Sequence, residues 1–231
     1  MISVAQKASF HEILTILSEH GLLDHLILIG SWAEFIYETS GILGTFEANL
    51  RTRDYDFFVP NAARPSPPVN LKEILSSHGW IAMDDPMTGA TKFLKTTETM
   101  DVFEVEFLVG MRGKGCESIF PVKSLAIKGQ SMRELNMLDE NPLAIQYGKK
   151  LLRVPNPVQY VLHKILINPS RLTEEKQLKD IQAVRSLLDN MRTDEWRSQL
   201  NRAYEVLTKK QKKVIKEVAA AQSLYLGFEL D

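Results

Sequence analysis

Two aspartates one residue apart, Asp54 and Asp56 in RTRDYDFFVP, are the residues of this chain best suited to chemistry. On a strand both leave the backbone on one face, because side chains alternate with a period of two. Carboxylates held side by side repel each other, and a divalent cation between them relieves the repulsion. Mg²⁺ suits such a pair: it binds through one or two carboxylates, keeps several waters, and takes its other ligands from substrate phosphates. Upstream, the apolar run of HLILIGSW ends in Gly30-Ser31. A glycine there lets the backbone approach a ligand closely, and a serine opening the next helix presents amide groups to an anion. Alone, an Asp-x-Asp is commonly surface charge and a Gly-Ser commonly a turn with its helix cap. Their joint order and spacing argue for a site that binds phosphate at Gly30 and Ser31 and metal at Asp54 and Asp56.

The elements that must position these residues are legible in outline. Phe10, Ile13, Leu14 and Leu17 recur at helical spacing and predict a helix over 4–19, closed near Gly21. A buried strand over 26–29 is followed by a helix with Trp32, Ala33, Phe35 and Ile36 on its apolar face. Gly41 and Gly44 flank a loop that carries Phe46, Glu47 and Asn49 to the aspartates, and Phe57, Phe58 and Val59 extend their strand to Pro60. Pro65, Pro67 and Pro68 make 61–70 a loop, and 71–78 a short helix. Strands over 81–83 and 92–94 flank Asp84-Asp85-Pro86, whose acids read as solvated.

MDVFEVEFLV, residues 100–109, places Val102, Glu104, Glu106 and Leu108 on one face and Phe103, Val105, Phe107 and Val109 on the other. GMRGKG, with Arg112 and Lys114, matches no nucleotide-loop motif and reads as a solvated hairpin. A strand over 119–127 and a hairpin joining 144–146 to 151–154 complete this half. Composition shifts at Pro155-Asn156-Pro157, after which helices are expected over 157–168, 172–190, 193–207 and 210–227, with Thr193 and Thr208 as caps. Within YVLHKILI, Lys164 lies on an apolar face and must find an anion or reach past the core to water. Asp180 follows Lys176 by four residues and reads at first as its helical ion-pair partner.

At 231 residues, 44% hydrophobic and 25% charged, the chain can bury a substantial core. A net charge of -1 argues against a strongly basic nucleic-acid binder. Cys116 is the only cysteine, which excludes an intramolecular disulfide and a cysteine-based zinc site. The first residues lack a signal-peptide pattern and no apolar run is long enough for a bilayer, so a soluble cytoplasmic protein without membrane association is expected.

The apolar strand, the Gly30-Ser31 pair and the later Arg51-Thr52-Arg53-Asp54-Tyr55-Asp56 resemble the signature of the polymerase-beta-like nucleotidyltransferase superfamily. PNPVQYVLHKILI through RLTEEKQLKDIQAV further resembles the C-terminal half of bacterial nucleotidyltransferases of the abortive-infection toxin type. The long spacer before the aspartates, and Tyr55 in place of the usual aliphatic residue, depart from the pattern.

The resemblance implies an α/β nucleotidyltransferase fold with a mixed sheet over 1–154, followed by an all-helical domain over 155–231. It implies a third carboxylate from a later strand, assigned to Glu106 with Glu104 as the alternative. Asp54, Asp56 and Glu106 would then be catalytic and hold two Mg²⁺, with Mn²⁺ as a substitute. Gly30, Ser31, Arg51, Lys164 and Asp180 would bind nucleotide. The reaction implied is transfer of a nucleoside monophosphate from an NTP to an acceptor, which the sequence leaves open among tRNA, protein and small molecule. The rival expectation is a catalytically silent module of the same fold that binds nucleotide or a partner protein, and a cognate partner is a further implication of the toxin-type resemblance.

Overall fold

The computed structural model describes residues 3–48, 52–60, 68–98, 100–111 and 118–230. Expectations for Asn49, Arg51, Pro65, Pro67, Arg112, Lys114 and Cys116 lie outside the described residues. In chain order the elements are α1 (Val4–Glu19), β1 (Ile27–Ile29), α2 (Gly30–Ser40), β2 (Asp54–Phe58), α3 (Leu71–Ser77), β3 (Ile81–Asp84), β4 (Thr91–Thr96), β5 (Val102–Gly110), β6 (Ile119–Val122), β7 (Ile127–Met132), β8 (Leu143–Tyr147) and β9 (Lys150–Val154). Helices α4 (Pro157–Ile167), α5 (Glu174–Asn190), α6 (Asp194–Glu205) and α7 (Lys209–Ala221) follow.

The main sheet runs β1-β2-β5-β4-β3, with β7 beside the end of β5 and β6 outside it. It is mixed: β2 and β7 lie parallel to β5, whereas the β1–β2, β4–β5, β3–β4 and β6–β7 pairs are antiparallel. The strand expected over 119–127 is two strands, because Lys123–Leu125 makes a 3₁₀ turn and Ala126 takes a left-handed backbone (φ 54°) that reverses the chain. Strand β7 carried no signal in its second half, since Gly129, Gln130 and Ser131 are weak strand formers; pairing with β6 at Gly129 and Gln130 and with β5 at Gln130 and Ser131 overrides their propensity.

Register in β2 is fixed by what lies between the aspartates. Tyr55 is fully buried and packs among Phe10 (ring centroids 5.7 Å), Trp32 (5.1 Å) and Phe103 (6.0 Å). Burying one such ring stabilises by about 1.5–3 kcal/mol. A one-residue slip would expose Tyr55 and drive Asp54 and Asp56 into this aromatic core, so core packing and the acidic face specify the same register.

Helix α4 is buried along its whole length, from Pro157 to Ile167. Asn156 caps it by accepting from the Val158 amide, and Pro157 occupies its first turn, where a missing N–H costs nothing. Thr193 and Thr208 cap α6 and α7, accepting from the Trp196 and Gln211 amides. Among the described residues no helix is long and apolar enough to cross a membrane.

Candidate active site

The acidic face of the sheet and the buried helix α4 enclose a cleft of about 520 Å³. In the parallel β2–β5 pair Asp54 lies opposite Glu104 and Asp56 opposite Glu106, so all four carboxylates rise from adjacent strands on one face. The described site residues come together here: Gly30, Ser31, Asp54, Asp56, Glu106, Lys164 and Asp180 all line this cleft.

Gly30 meets Asp56 directly. Its backbone is left-handed (φ 67°), and a Cβ there would come within 2.5 Å of Asp56 Oδ2, so a glycine is required on both counts. The N-cap of α2 is Ile29, which offers no side-chain oxygen. The first-turn amides beside Ser31 are thus left without a side-chain cap, at the end of the helix that carries its positive dipole.

Asp54 accepts from Thr52 Oγ1 at 2.9 Å. Among the described residues neither Asp54 nor Asp56 joins an ion pair. Burial and the neighbouring Asp54 push Asp56 up to about 6, against the more distant pull of Arg171 and Lys164.

The glutamates are differently placed. Lys92 on β4 is in register with Glu106, and its Nζ lies 2.5 Å from Glu106 Oε1, 2.7 Å from Glu104 Oε1 and 3.2 Å from Asp85 Oδ2. Burial opposes the charge on Lys92, but Glu104 and Glu106 outweigh it and keep the ammonium protonated. Burial, Glu104 and Asp56 push Glu106 up; burial works the same way on Glu104, yet its contacts with Glu106 and Lys92 hold it low. Glu106 therefore takes a proton more readily than Glu104.

The opposite wall supplies cations. Lys164 Nζ lies 2.8 Å from Asp180 Oδ1, 3.7 Å from Glu34 Oε1 and 5.0 Å from the Tyr160 ring centroid. Asp180 also receives Arg171 Nε at 2.6 Å. Burial alone would raise the Asp180 carboxyl, but Lys164 and Arg171 hold it below the usual range. The Lys176 partnership expected for Asp180 is replaced by these two, because Asp180 faces the cleft. The Tyr160 hydroxyl lies 2.8 Å from the Gly30 carbonyl oxygen and 2.9 Å from Glu34 Oε1, tying α4 to the strand end that carries Gly30.

Among the described residues no group of three or more acids, histidines or cysteines is arranged to hold a metal ion. Asp54 and Asp56 do fit one: they share a face of the sheet, and among the described residues neither joins an ion pair, while burial and then the neighbouring Asp54 push Asp56 up. Glu106 lines the same cleft and differs from them in being held by Lys92.

Sequence reasoning missed Lys92, Arg171, Glu34 and Tyr160 as site residues. Arg171 lies in the same RLTEEKQLKD segment as Asp180, nine residues before it, and was open to notice. Lys92 was not, since only strand pairing brings β4 beside β5.

A mixed sheet thus carries the Asp-x-Asp strand, with a glycine-led helix beside it and the cations Lys164 and Arg171 across the cleft. The profile of a family described as Nucleotidyltransferase matches residues 8–208, and the chain belongs to that family. No curated protein matches it by sequence. Among solved structures it is similar to an antigenic nucleotidyltransferase-like protein from Paracoccidioides brasiliensis, with 12% identity and a TM-score of 0.44, over 91% of this chain and 92% of that one. It is also similar to the antibiotic-resistance factor ANT(2'')-Ia in solution, with 15% identity and a TM-score of 0.48, over 95% of this chain and 100% of that one. A crystal structure of ANT(2'')-Ia with adenylyl-2''-tobramycin gives 13% identity and a TM-score of 0.44, over 94% and 99%.

Proposed function

We propose that the protein is a metal-dependent nucleotidyltransferase that moves a nucleoside monophosphate from an NTP to an acceptor and releases pyrophosphate. The observation that carries this reading is the register of β2 on β5, which sets Asp54 and Asp56 on the cleft face beside Gly30 and opposite Lys164 and Arg171. In this account residues 1–154 supply the carboxylates and residues 155–231 the facing cations.

Gly30 and Ser31 bind the β- and γ-phosphates through the uncapped start of α2. Asp54 and Asp56 would hold Mg²⁺, or Mn²⁺ in its place, and the ion would supply positive charge to offset that of the phosphoryl oxygens. An acceptor oxygen attacks the α-phosphorus, the bond from that phosphorus to the bridging oxygen of the pyrophosphate breaks, and the acceptor proton passes to the Glu104–Glu106 pair. Glu106, pushed up to about 8, binds a proton more tightly than Glu104 and serves as the base when it is ionised. Lys164 and Arg171 offset charge on the departing pyrophosphate once nucleotide draws them from Asp180.

The resemblance of residues 155–184 to abortive-infection nucleotidyltransferases supports a cognate partner protein, and the single cysteine Cys116 fits a cytoplasmic setting. Incubation with each α-labelled NTP, Mg²⁺ and cell extract tests the function and identifies the acceptor fraction. Label should enter one of tRNA, protein or small molecules. Nucleotide binding by calorimetry without label transfer from any NTP would instead establish a silent binding module.

A further inference from the structure

Lys92 occupies a place of unusual charge. Three carboxylates from separate parts of the chain converge on its ammonium: Glu104 and Glu106 from β5, and Asp85 from the turn between β3 and β4. An ammonium carries three protons, so these acceptors match its donors in number. Asp85 is itself fixed, its Oδ1 accepting from the amides of Met87 (2.9 Å) and Thr88 (2.8 Å) and from Thr88 Oγ1 (3.1 Å). That turn leaves the other carboxylate oxygen facing Lys92. Lys92 is also placed by register, paired with Glu106 on the same sheet face.

The two sides of the acidic face therefore differ. The β5 side has a resident cation; the β2 side, with Asp54 and Asp56, has none among the described residues. A second divalent ion bridging Glu106 would have to enter beside the ammonium or displace it, and like charges at such separations repel strongly in a partly buried site.

We propose that Lys92 stands in for a second metal, so that the site takes one divalent cation, at Asp54 and Asp56, while the ammonium holds Glu104 and Glu106 in position on the acceptor side. Lys92 is thereby a positioning residue. This rests on the reading of Asp54 and Asp56 as the metal pair, and it departs from the two-metal arrangement implied by the family resemblance.

The test counts Mn²⁺ bound per chain by the loss of the free-ion paramagnetic resonance signal, using Mn²⁺ alone, so no substrate or activity is needed. Wild type should bind one ion and Asp56→Asn none. Lys92→Met should bind two, and Lys92→Arg, which keeps the charge, one. Adding Glu106→Gln to Lys92→Met should return the count to one. Lys92→Gln, whose amide can still donate to the glutamates, replaces the methionine variant if the latter fails to fold, and should likewise bind two. Two ions on wild type, or a single ion on a folded Lys92→Met or Lys92→Gln protein, would overturn the role given to Lys92 and leave the proposed function standing. No ion on wild type would overturn the metal pair itself, and this inference with it.

Discussion

Lys164 Nζ stands 2.8 Å from Asp180 Oδ1 and 3.7 Å from Glu34 Oε1, and Asp180 is shared with Arg171, so Asp180 is the closest counter-charge of both cations. The relationship is asymmetric. Removing Lys164 leaves Asp180 paired with Arg171 and Glu34 with the Tyr160 hydroxyl, whereas removing the charge on Asp180 strands Arg171 and leaves Lys164 only Glu34 at 3.7 Å.

Lys164→Met should accordingly lose on the order of 1 kcal/mol of stability, and Asp180→Ala on the order of 3–5 kcal/mol, since breaking a buried pair leaves an uncompensated charge. The methionine variant should still bind NTP about tenfold more weakly than wild type, equivalent to about 1.4 kcal/mol. Chemical denaturation and calorimetry check the two halves. Equal destabilisation by both variants would contradict the shared-carboxylate arrangement.

Gly30→Ala tests the close approach to Asp56. The left-handed backbone costs an alanine about 1–2 kcal/mol, and its Cβ must displace the Asp56 carboxylate. Activity should fall by more than the stability loss explains. An active, equally stable alanine variant would mean that Asp56 need not occupy its observed position.

Asp56 gives a pH dependence of definite sign. Its folded pKa of about 6 lies above the ordinary value of 3.8, so the folded state holds the proton more tightly and stability falls as pH rises from about 4 to about 6. Above that window the ionised group costs on the order of 3 kcal/mol. Asp56→Asn should therefore raise the melting temperature at pH 7–8 and change it little near pH 4. Mg²⁺ should stabilise wild type and not the variant. Melting curves across this pH range, with and without Mg²⁺, decide the matter.

His163 titrates the other way. Burial first, then Lys164 and Arg171, lower its pKa to about 3 from 6.5, and among the described residues neither ring nitrogen has a hydrogen-bond partner. The unfolded chain takes up the proton first, so stability is lost as pH falls from about 6.5 toward 3. His163→Phe should remove this loss, with a larger gain over wild type at pH 5 than at pH 8. An equal effect at both pH values would mean that His163 is protonated in the folded protein.

How far the sequence was legible follows from the range of the interactions involved. Gly30-Ser31 and Asp54-Asp56 were readable because their signals are local: an apolar strand ending in glycine, and a two-residue period. The α4 to α7 helices were readable from periodicity and from the caps Thr193 and Thr208. Strand β7 was not, because its pairing, with Phe120 at Gly129 and with Leu108 and Ile119 on either side of Gln130, holds weak strand formers extended. Nor was the condition of Glu106, whose place on the acidic face followed from alternation while its capture by Lys92 depends on β4 pairing with β5. Asp85, read as solvated, is bound into the same network through a turn whose folding no local pattern announced.

The central claim is that Asp54 and Asp56 support nucleotidyl transfer, and pyrophosphate release tests it most directly. Wild type and Asp56→Asn would be compared with each NTP, Mg²⁺ and the acceptor fraction identified by labelling, at matched folded concentration. The account predicts release by wild type with at least one NTP and a loss of about 100-fold or more in the variant, a barrier increase of about 2.7 kcal/mol. Equal release by wild type and a fully folded Asp56→Asn protein would contradict it.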